Sequence, residues 1–132
     1  MPTVTWSSPW PATEDNVRRF VVKASGVYVL RKLAAGKSLT VGDFLKADSS
    51  RAVIYVGQAE SLETRMLQHV SPSEANECLK RYIRQGADMT WAPVSSKADR
   101  DCIERALYDH YAEPECNEVA PPGKACSVNF PF

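Results

Sequence analysis

The chain has 132 residues, of which 44% are hydrophobic and 24% charged. This composition is typical of one globular domain and argues against a disordered chain. The longest apolar runs fall well short of the roughly 18 residues that a membrane helix needs, which argues against a membrane protein. Sixteen basic and sixteen acidic residues balance, so net charge indicates no particular partner. We find no secretory leader and expect a single cytosolic domain over residues 1–132.

The first half of the chain predicts two strands and two helices. Residues 1–23 form a lead-in, irregular at first and then helical from a cap at Thr13. The stretch GVYVLRKL (26–33) has the β-branched and aromatic content of a strand, and RAVIYVG (51–57) predicts a second. We expect these strands to pair antiparallel.

Their long polar connection is predicted to hold one helical turn at residues 40–45. The second strand is followed by a predicted helix from a cap at Ser61 to about Val70. Gly57 is expected to let the chain turn sharply from the strand into that helix.

The second half predicts two more helices and one more strand. Ser71 and Glu74 form a capping-box pattern with Pro72 at the first helical position, so a helix is expected from there to Gly86. The stretch ADMTWAPV (87–94) predicts a third strand that is at a sheet edge, or ends, at its proline. Ser95 or Ser96 can cap a last helix, KADRDCIERALYDHY. The order β-β-α-α-β-α predicts a small α+β domain with a three-stranded antiparallel sheet flanked by helices.

The cysteines contain no CxxC pair, which argues against a zinc site or a redox motif. Cys78 and Cys102 fall on the apolar faces of predicted helices, where a free cysteine behaves as a small hydrophobic residue. We therefore expect four reduced thiols, with a disulfide framework as the weaker alternative.

Charge is unevenly distributed along the chain. Residues 16–42 contain six basic residues and no acid, whereas residues 99–118 contain seven acids and two arginines. This asymmetry allows a local anion-binding face, although an ordinary solvated surface explains it equally well. The six basic residues are Arg18, Arg19, Lys23, Arg31, Lys32 and Lys37.

Two polar residues share a face of the predicted helix that begins after Ser61. Helical spacing places Arg65 and His69 on the same stripe as Leu62 and Met66. A buried arginine requires an anionic partner, because desolvating an unpaired guanidinium is costly. That partner is either an internal carboxylate such as Glu104 or a phosphate bound in a cleft, since the guanidinium fork suits phosphate oxygens. His69 can likewise be a hydrogen-bonded core residue.

These residues, taken with two tyrosines, resemble a known signature. The triplet GVY (26–28), the stretch YVGQAESLETRMLQH (55–69) and the closing EPECN (113–117) are similar, in order, to the motifs of the GIY-YIG endonuclease superfamily. The resemblance covers residues 24–117, which would be the catalytic core between the lead-in (1–23) and a C-terminal tail (118–132). The matching positions are Tyr28, Tyr55, Gly57, Arg65, His69, Glu104 and Asn117.

This sequence differs from the superfamily's pattern in three ways. Tyr28 and Tyr55 are 27 residues apart, whereas many members join the two strands by a short hairpin. Position 58 is Gln, where excision-repair members tend to carry Lys, so no role for that lysine carries over. The separate DNA-binding domain of many members is absent from this sequence.

The resemblance implies a nuclease that hydrolyses DNA phosphodiesters with one divalent ion, Mg²⁺ or Mn²⁺. Glu104 would be the metal ligand and Arg65 would stabilise charge on the phosphate. Tyr55 would be the base, with Tyr28 orienting water or donating to phosphate, although the two tyrosine roles can be exchanged. A phenol with a pKa near 10 is a poor base at neutral pH. The proposal therefore requires His69 to take its proton, or Arg65, a lysine or the metal-bound water network to favour the phenolate.

Two further residues are assigned to structure in this hypothesis. Asn117 would fix the fold near the metal, and Gly57 would be structural or position the phosphate. The alternatives are a non-catalytic module that binds nucleic acid or protein, the nuclease domain of an exported toxin, and a purely structural protein. The sequence indicates no membrane association and no other protein partner.

Overall fold

The computed structural model describes residues 3–32 and 53–132 and confirms the α+β class. The helical turn expected at residues 40–45, the ends of the first two predicted strands (33 and 51–52) and Lys37 lie outside these residues. The described elements are β1 (Trp10–Pro11), α1 (Glu14–Phe20), β2 (Gly26–Lys32), β3 (Val53–Ala59), α2 (Leu62–Val70), α3 (Glu77–Gln85), β4 (Ala87–Pro93) and α4 (Lys97–His110).

The sheet has four antiparallel strands in the order β1-β4-β2-β3, so the prediction of three strands is wrong by one. The additional strand, β1, has two residues in the proline-rich lead-in and is too short to leave a sequence pattern. The expected antiparallel pairing of β2 with β3 is confirmed. Pro93 ends β4, which lies inside the sheet. β3 lies at one edge of the sheet.

Both faces of the sheet are covered. One core contains Tyr28 and Leu30 of β2 with Leu62 and Met66 of α2. The other contains the alternate β2 residues Val27 and Val29, together with Ile103 and Leu107 of α4. Because successive strand side chains point to opposite faces, β2 is buried on both sides and reads as an almost continuous apolar run.

The caps of α2 and α4 are confirmed at Ser61 and Ser96. The predicted start of α3 is wrong: the helix begins at Glu77, and the Asn76 side chain accepts the hydrogen bond from the Leu79 N–H at 3.1 Å. Ser71 instead ends α2 as its C-cap. The polar segment between the two helices therefore contains the C-cap of α2 at Ser71 and the N-cap of α3 at Asn76.

The expectation of four reduced thiols is also wrong. Cys78 of α3 is joined to Cys116, and Cys102 of α4 is joined to Cys126 in the tail. The Cα atoms of the two pairs lie 5.3 and 5.4 Å apart, which is the usual separation in a disulfide. Packing of the helices against the irregular segments after α4 brings these cysteines together, and sequence spacing does not reveal that packing.

The tail packs against the start of the chain. The Asn129 side chain accepts from the Val4 N–H at 3.0 Å and donates to the Val4 carbonyl at 2.8 Å, and the Trp6 indole N–H donates to the Asn129 carbonyl. Phe130 and Phe132 contact the core beneath α4. In the part of the chain that the structure describes, no helix is long and apolar enough to cross a bilayer.

Candidate active site at the edge of strand β3

The two tyrosines lie together on one face of the sheet. Tyr28 of β2 is directly opposite Gly57 of β3, and Tyr55 is two residues before that glycine. The tyrosines are therefore diagonal neighbours, and their ring centroids lie 6.0 Å apart. Tyr28 is 1% exposed, whereas Tyr55 is only partly buried. Tyr55 is thus the tyrosine that solvent or a ligand can reach.

Gly57 makes room for the Tyr28 ring. A Cβ at position 57 would lie 2.5 Å from both Cζ and Oη of Tyr28, far inside contact distance. The expectation that Gly57 provides a sharp turn is wrong, since it lies within β3 and, among the described glycines, only Gly86 has a positive φ. The glycine is required because an aromatic ring crosses it.

A chain of hydrogen bonds extends from Tyr28 through His69 to a carboxylate. The Tyr28 hydroxyl lies 2.7 Å from His69 Nε2, and His69 Nδ1 lies 2.8 Å from Glu74 Oε2. The other oxygen of Glu74 accepts from the Asn76 N–H at 2.8 Å. Because an ionised carboxylate can only accept, Nδ1–H donates to Glu74, and Nε2 accepts from the tyrosine. Glu74 thereby fixes the tautomer of the histidine.

Sequence reasoning missed this role of Glu74. The residue stands three positions after Ser71, which is the spacing of a capping box, and that explanation accounted for it. It also stands five positions after His69, just beyond the end of α2, where a bend of the chain returns its carboxylate to the histidine. That proximity was the available signal, and it is a weak one.

Burial keeps these three ring groups neutral near pH 7. It raises the pKa of Tyr28 well above its usual value, and the neighbouring Tyr55 adds to the rise. Burial also raises the pKa of Tyr55. It lowers the pKa of His69, although the hydrogen bond and charge of Glu74 oppose that change. The site therefore contains two phenols and an imidazole whose Nε2 is able to accept a proton.

Arg65 is exposed, so the expectation that it lies on the buried stripe of α2 is wrong. The buried residues of this helix are Leu62, Met66 and His69, and Arg65 lies at the margin of their face. Within the described residues it forms no ion pair with Glu104 or with another carboxylate. Its charge opposes the rise in pKa of both Tyr28 and Tyr55, so the guanidinium acts electrostatically on both phenols.

Glu104 reaches the same region from α4. Gln58 donates from Nε2 to Glu104 Oε1 at 3.0 Å and to Asp101 Oδ1 at 2.7 Å, so one amide joins two carboxylates. Burial raises the pKa of Glu104, against the effect of the Gln58 hydrogen bond. Asp101 is exposed to solvent at its carboxylate and also accepts from Lys97 at 2.9 Å. Gln58 therefore holds the carboxylates of Asp101 and Glu104 together.

Asn117 closes the outer edge of β3. Its side chain accepts from the Val56 N–H and donates to the Val56 carbonyl, both at 3.0 Å. The neighbouring Cys116 N–H donates to the Ile54 carbonyl at 2.7 Å. These contacts substitute for a further strand and satisfy the edge. The amide of Asn117 is therefore occupied by backbone and serves the fold.

Residues of β3 line two clefts. The edge cleft, of about 490 Å³, is lined by Tyr55, Glu74, Glu104 and Asn117 together with residues 118–122. The basic cleft, of about 580 Å³, is lined on its charged sides by Arg65, Lys97 and Arg100, with Gln58, Gln68 and Glu60 between them. Tyr55 and Glu104 reach the edge cleft from opposite faces of the sheet because β3 is the edge strand.

The candidate residues are therefore divided between the two clefts. Tyr55 and Glu104 line the edge cleft and Arg65 lines the basic cleft, whereas Tyr28 and His69 lie behind Tyr55 and are buried. In the described ranges, no group of three or more His, Cys, Asp or Glu side chains is arranged to hold a metal ion. A cation here would have one or two carboxylates as ligands and would keep much of its water, as Mg²⁺ does.

The basic stretch at residues 16–42 is less available than the sequence indicates. Arg31 is 1% exposed and forms an ion pair with Asp88, so it cannot belong to a surface for anions. Lys32 pairs with Glu115 at 3.5 Å. Arg18 and Arg19 form ion pairs one turn back along α1.

No family model, curated protein or solved structure matches this chain.

Proposed function

We propose that this chain is a divalent-metal-dependent endonuclease of the GIY-YIG type, which hydrolyses phosphodiester bonds of DNA. The observation that carries the proposal is that a phenol and a carboxylate line one cleft at the edge of β3, while a guanidinium lines a second cleft whose Gln58 is bonded to that carboxylate. The buried chain from Tyr28 through His69 to Glu74 lies directly behind the phenol. A purely structural role would not require these polar groups to converge.

The buried chain offers a path for the proton of the attacking water. Tyr55 is accessible and its ring centroid lies 6.0 Å from that of Tyr28, whose hydroxyl donates to His69 Nε2 at 2.7 Å. In this proposal the Tyr55 hydroxyl donates to the Tyr28 oxygen, so that as Tyr55 takes a proton from water its own proton passes to Tyr28, and that of Tyr28 passes to the imidazole. The resulting imidazolium is stabilised by Glu74 at 2.8 Å. Two phenols with raised pKa values can thereby serve as a base without a free phenolate.

Arg65 and Glu104 supply the electrostatic part of the reaction. The exposed guanidinium of Arg65 can donate two parallel hydrogen bonds to a phosphate as negative charge develops on it. Glu104 suits a cation, because burial disfavours its ionised form and a cation would relieve that cost. Within the described residues its Oε2 receives no hydrogen bond, whereas Oε1 accepts from Gln58. A bound Mg²⁺ or Mn²⁺ would neutralise charge on the phosphate oxygens.

The proposal is tested by incubating the oxidised protein with supercoiled plasmid, single-stranded DNA, branched DNA and RNA. Each substrate is tested with Mg²⁺, Mn²⁺ or chelator. We expect metal-dependent cleavage that Arg65→Ala and Glu104→Gln each reduce by about 10²- to 10³-fold, as expected for loss of transition-state stabilisation.

Two control variants separate catalysis from general charge effects. Arg18→Ala removes an exposed helix arginine, and Glu77→Gln removes an exposed glutamate in the first turn of α3. Both should retain wild-type rates. Cleavage in chelator, or full activity of both site variants, contradicts the mechanism. Tight binding of DNA with no cleavage of any substrate favours the non-catalytic binding module.

The disulfides bear on where such a nuclease would act. Structural disulfides persist in oxidising compartments and are rare in the cytosol. Here each one fixes an element of the site, since Cys116 precedes Asn117 and Cys102 lies on the helix that carries Glu104. We therefore favour an exported nuclease, such as a toxin domain, over a cytosolic enzyme. Formation of both disulfides in protein recovered from the producing cells would test this choice.

A further inference from the structure

We infer that the basic cleft binds a second phosphate of the DNA backbone, one adjacent to the phosphate that is cleaved. The inference rests on the proposed function and adds a substrate-positioning site to it. It assigns Lys97 and Arg100 to substrate binding, a role that the sequence did not indicate for either residue.

Arg100 is the first observation. The residue is 6% exposed, and its Nη1 donates to the carbonyl of Val94 at 3.1 Å and to that of Ser95 at 2.7 Å. Its Nε is buried without a hydrogen-bond partner. In the described part of the chain no carboxylate forms an ion pair with it, and the adjacent Asp101 binds Lys97 and Gln58 instead. A desolvated guanidinium that lines a cleft and forms no ion pair is complementary to an anion.

Lys97 and Arg65 are the second observation. The Lys97 side chain is 70% exposed at the mouth of the cleft, and Arg65 is exposed on the opposite helix. With Arg100, they bring three cations to a cleft whose lining contains one acid, the exposed Glu60. The amide of Gln68 adds a neutral donor. Cations and amides around an open concavity are the groups that contact backbone phosphates.

The position of the cleft identifies which phosphate it would take. Gln58 lines the basic cleft and donates to Glu104, so a single side chain separates this cleft from the proposed metal ligand. Arg65 lines the basic cleft together with Gln58. A strand whose scissile phosphate lies beside Glu104 and Arg65 would bring a neighbouring phosphate to Lys97 and Arg100. The cleft therefore fits the path of a nucleic-acid backbone and not an isolated anion site.

The test measures binding without cleavage. The oxidised full chain is titrated in chelator with a labelled DNA duplex at several salt concentrations. Lys97→Gln should weaken binding about 3- to 10-fold and reduce the slope of log K against log salt by about one, because one phosphate contact is lost. Arg18→Gln is the matched control, since Arg18 is also an exposed helix cation paired at i,i+4. It should change neither quantity.

A second measurement identifies the phosphate itself. Single phosphates of the duplex are replaced one at a time by neutral methylphosphonates. One replacement should weaken binding to the wild-type protein as much as Lys97→Gln does, and should weaken binding to that variant no further. Arg100→Gln should behave in the same way provided that its thermal unfolding shows a folded protein. The exposed Lys97 keeps the test valid if the Arg100 variant does not fold.

The outcomes separate this inference from the proposed function. Unchanged affinity and salt slope in Lys97→Gln, or an equal loss in Arg18→Gln, overturns the phosphate site even if the protein cleaves DNA. If Lys97→Gln weakens binding as expected but the wild-type protein cleaves no substrate, the phosphate site is supported and the nuclease function is contradicted. The inference is also overturned if no single methylphosphonate position weakens binding to the wild-type protein while leaving binding to Lys97→Gln unchanged.

Discussion

Gly57→Ala tests whether the close contact between β2 and β3 organises the candidate site. The new methyl group would lie 2.5 Å from Cζ and Oη of Tyr28. The ring cannot simply move aside, because it is 1% exposed and its hydroxyl is bonded to His69 at 2.7 Å. The substitution must therefore displace the strand or break that hydrogen bond.

The expected cost follows from these contacts. Overpacking a buried site by one methyl group costs about 1–3 kcal/mol, and losing the hydrogen bond adds about 1 kcal/mol. Replacing glycine by alanine restricts the unfolded chain, which offsets about 0.4–1 kcal/mol. We therefore expect the free energy of unfolding to fall by about 2 kcal/mol. In urea this corresponds to a midpoint lower by about 1 M.

The assay is urea unfolding with the disulfides intact, in a double-mutant cycle with Tyr28→Leu. Leucine has no atoms at the positions of Cζ and Oη, so the clash disappears in that background. There Gly57→Ala should be neutral or stabilising by up to about 1 kcal/mol, so its destabilising effect is removed or reversed. Equal destabilisation in both backgrounds would show that position 57 matters for a reason other than the Tyr28 ring.

Three further predictions follow from the same structure. Replacing Cys78 and Cys116 together by serine should lower the free energy of unfolding by about 4 kcal/mol, the loop-entropy value for a separation of 38 residues, measured by calorimetry. Asn117→Ala should lower the free energy of unfolding by about 1–3 kcal/mol, because it leaves the N–H and carbonyl of Val56 without hydrogen bonds. Hydrogen exchange of the Val56 amide should then accelerate more than exchange elsewhere. The acid limb of the pH profile of kcat/KM should lie below pH 6.5, because burial lowers the pKa of His69 and a protonated ring cannot accept from Tyr28. Glu74→Gln removes the interactions that oppose this lowering and should move the limb to still lower pH, whereas a limb set by the Glu104 carboxylate would not move in this way.

The same shift in His69 also affects stability. In the unfolded chain this histidine titrates near pH 6.5, and its pKa is lower in the folded state. Between those two values the unfolded chain binds more protons, so the folded state loses stability as the pH falls through this window. Thermal unfolding of the wild-type protein and of His69→Gln is measured between pH 4 and 8. The contribution of His69 is the difference between the two proteins in the slope of Tm against pH. A parallel dependence in both proteins would argue against it.

Local signals in the sequence predicted what is locally determined. The cap at Ser61 and the apolar spacing that follows it predicted α2 because both are properties of a single helix. The pairing of β2 with β3 was predicted from two short apolar runs separated by a polar stretch. The candidate site follows from these elements, since the register of the two strands brings Tyr55 beside Tyr28.

The features that were not predicted depend on packing between distant segments. Glu74 had an adequate local explanation as a cap, and only the fold shows that its carboxylate contacts His69. Cys78 and Cys116 lie in segments that the fold brings together, and their spacing in the sequence does not predict that proximity. Arg65 was placed on the buried stripe because helical periodicity is coarse at the margin of a face, where a long side chain can extend into solvent.

The two disulfides overlap along the chain: Cys102 lies inside the loop closed by Cys78 and Cys116, and its partner Cys126 lies outside it. A chain cross-linked in this way cannot be drawn out into a single thread between residues 78 and 126, even when all other structure is lost. A machine that pulls polypeptides through a narrow channel would stall at residue 126 when pulling from the C-terminal side and at residue 78 from the other. Passage through such a channel must therefore precede oxidation, and the oxidised protein would resist degradation by proteases that thread their substrates.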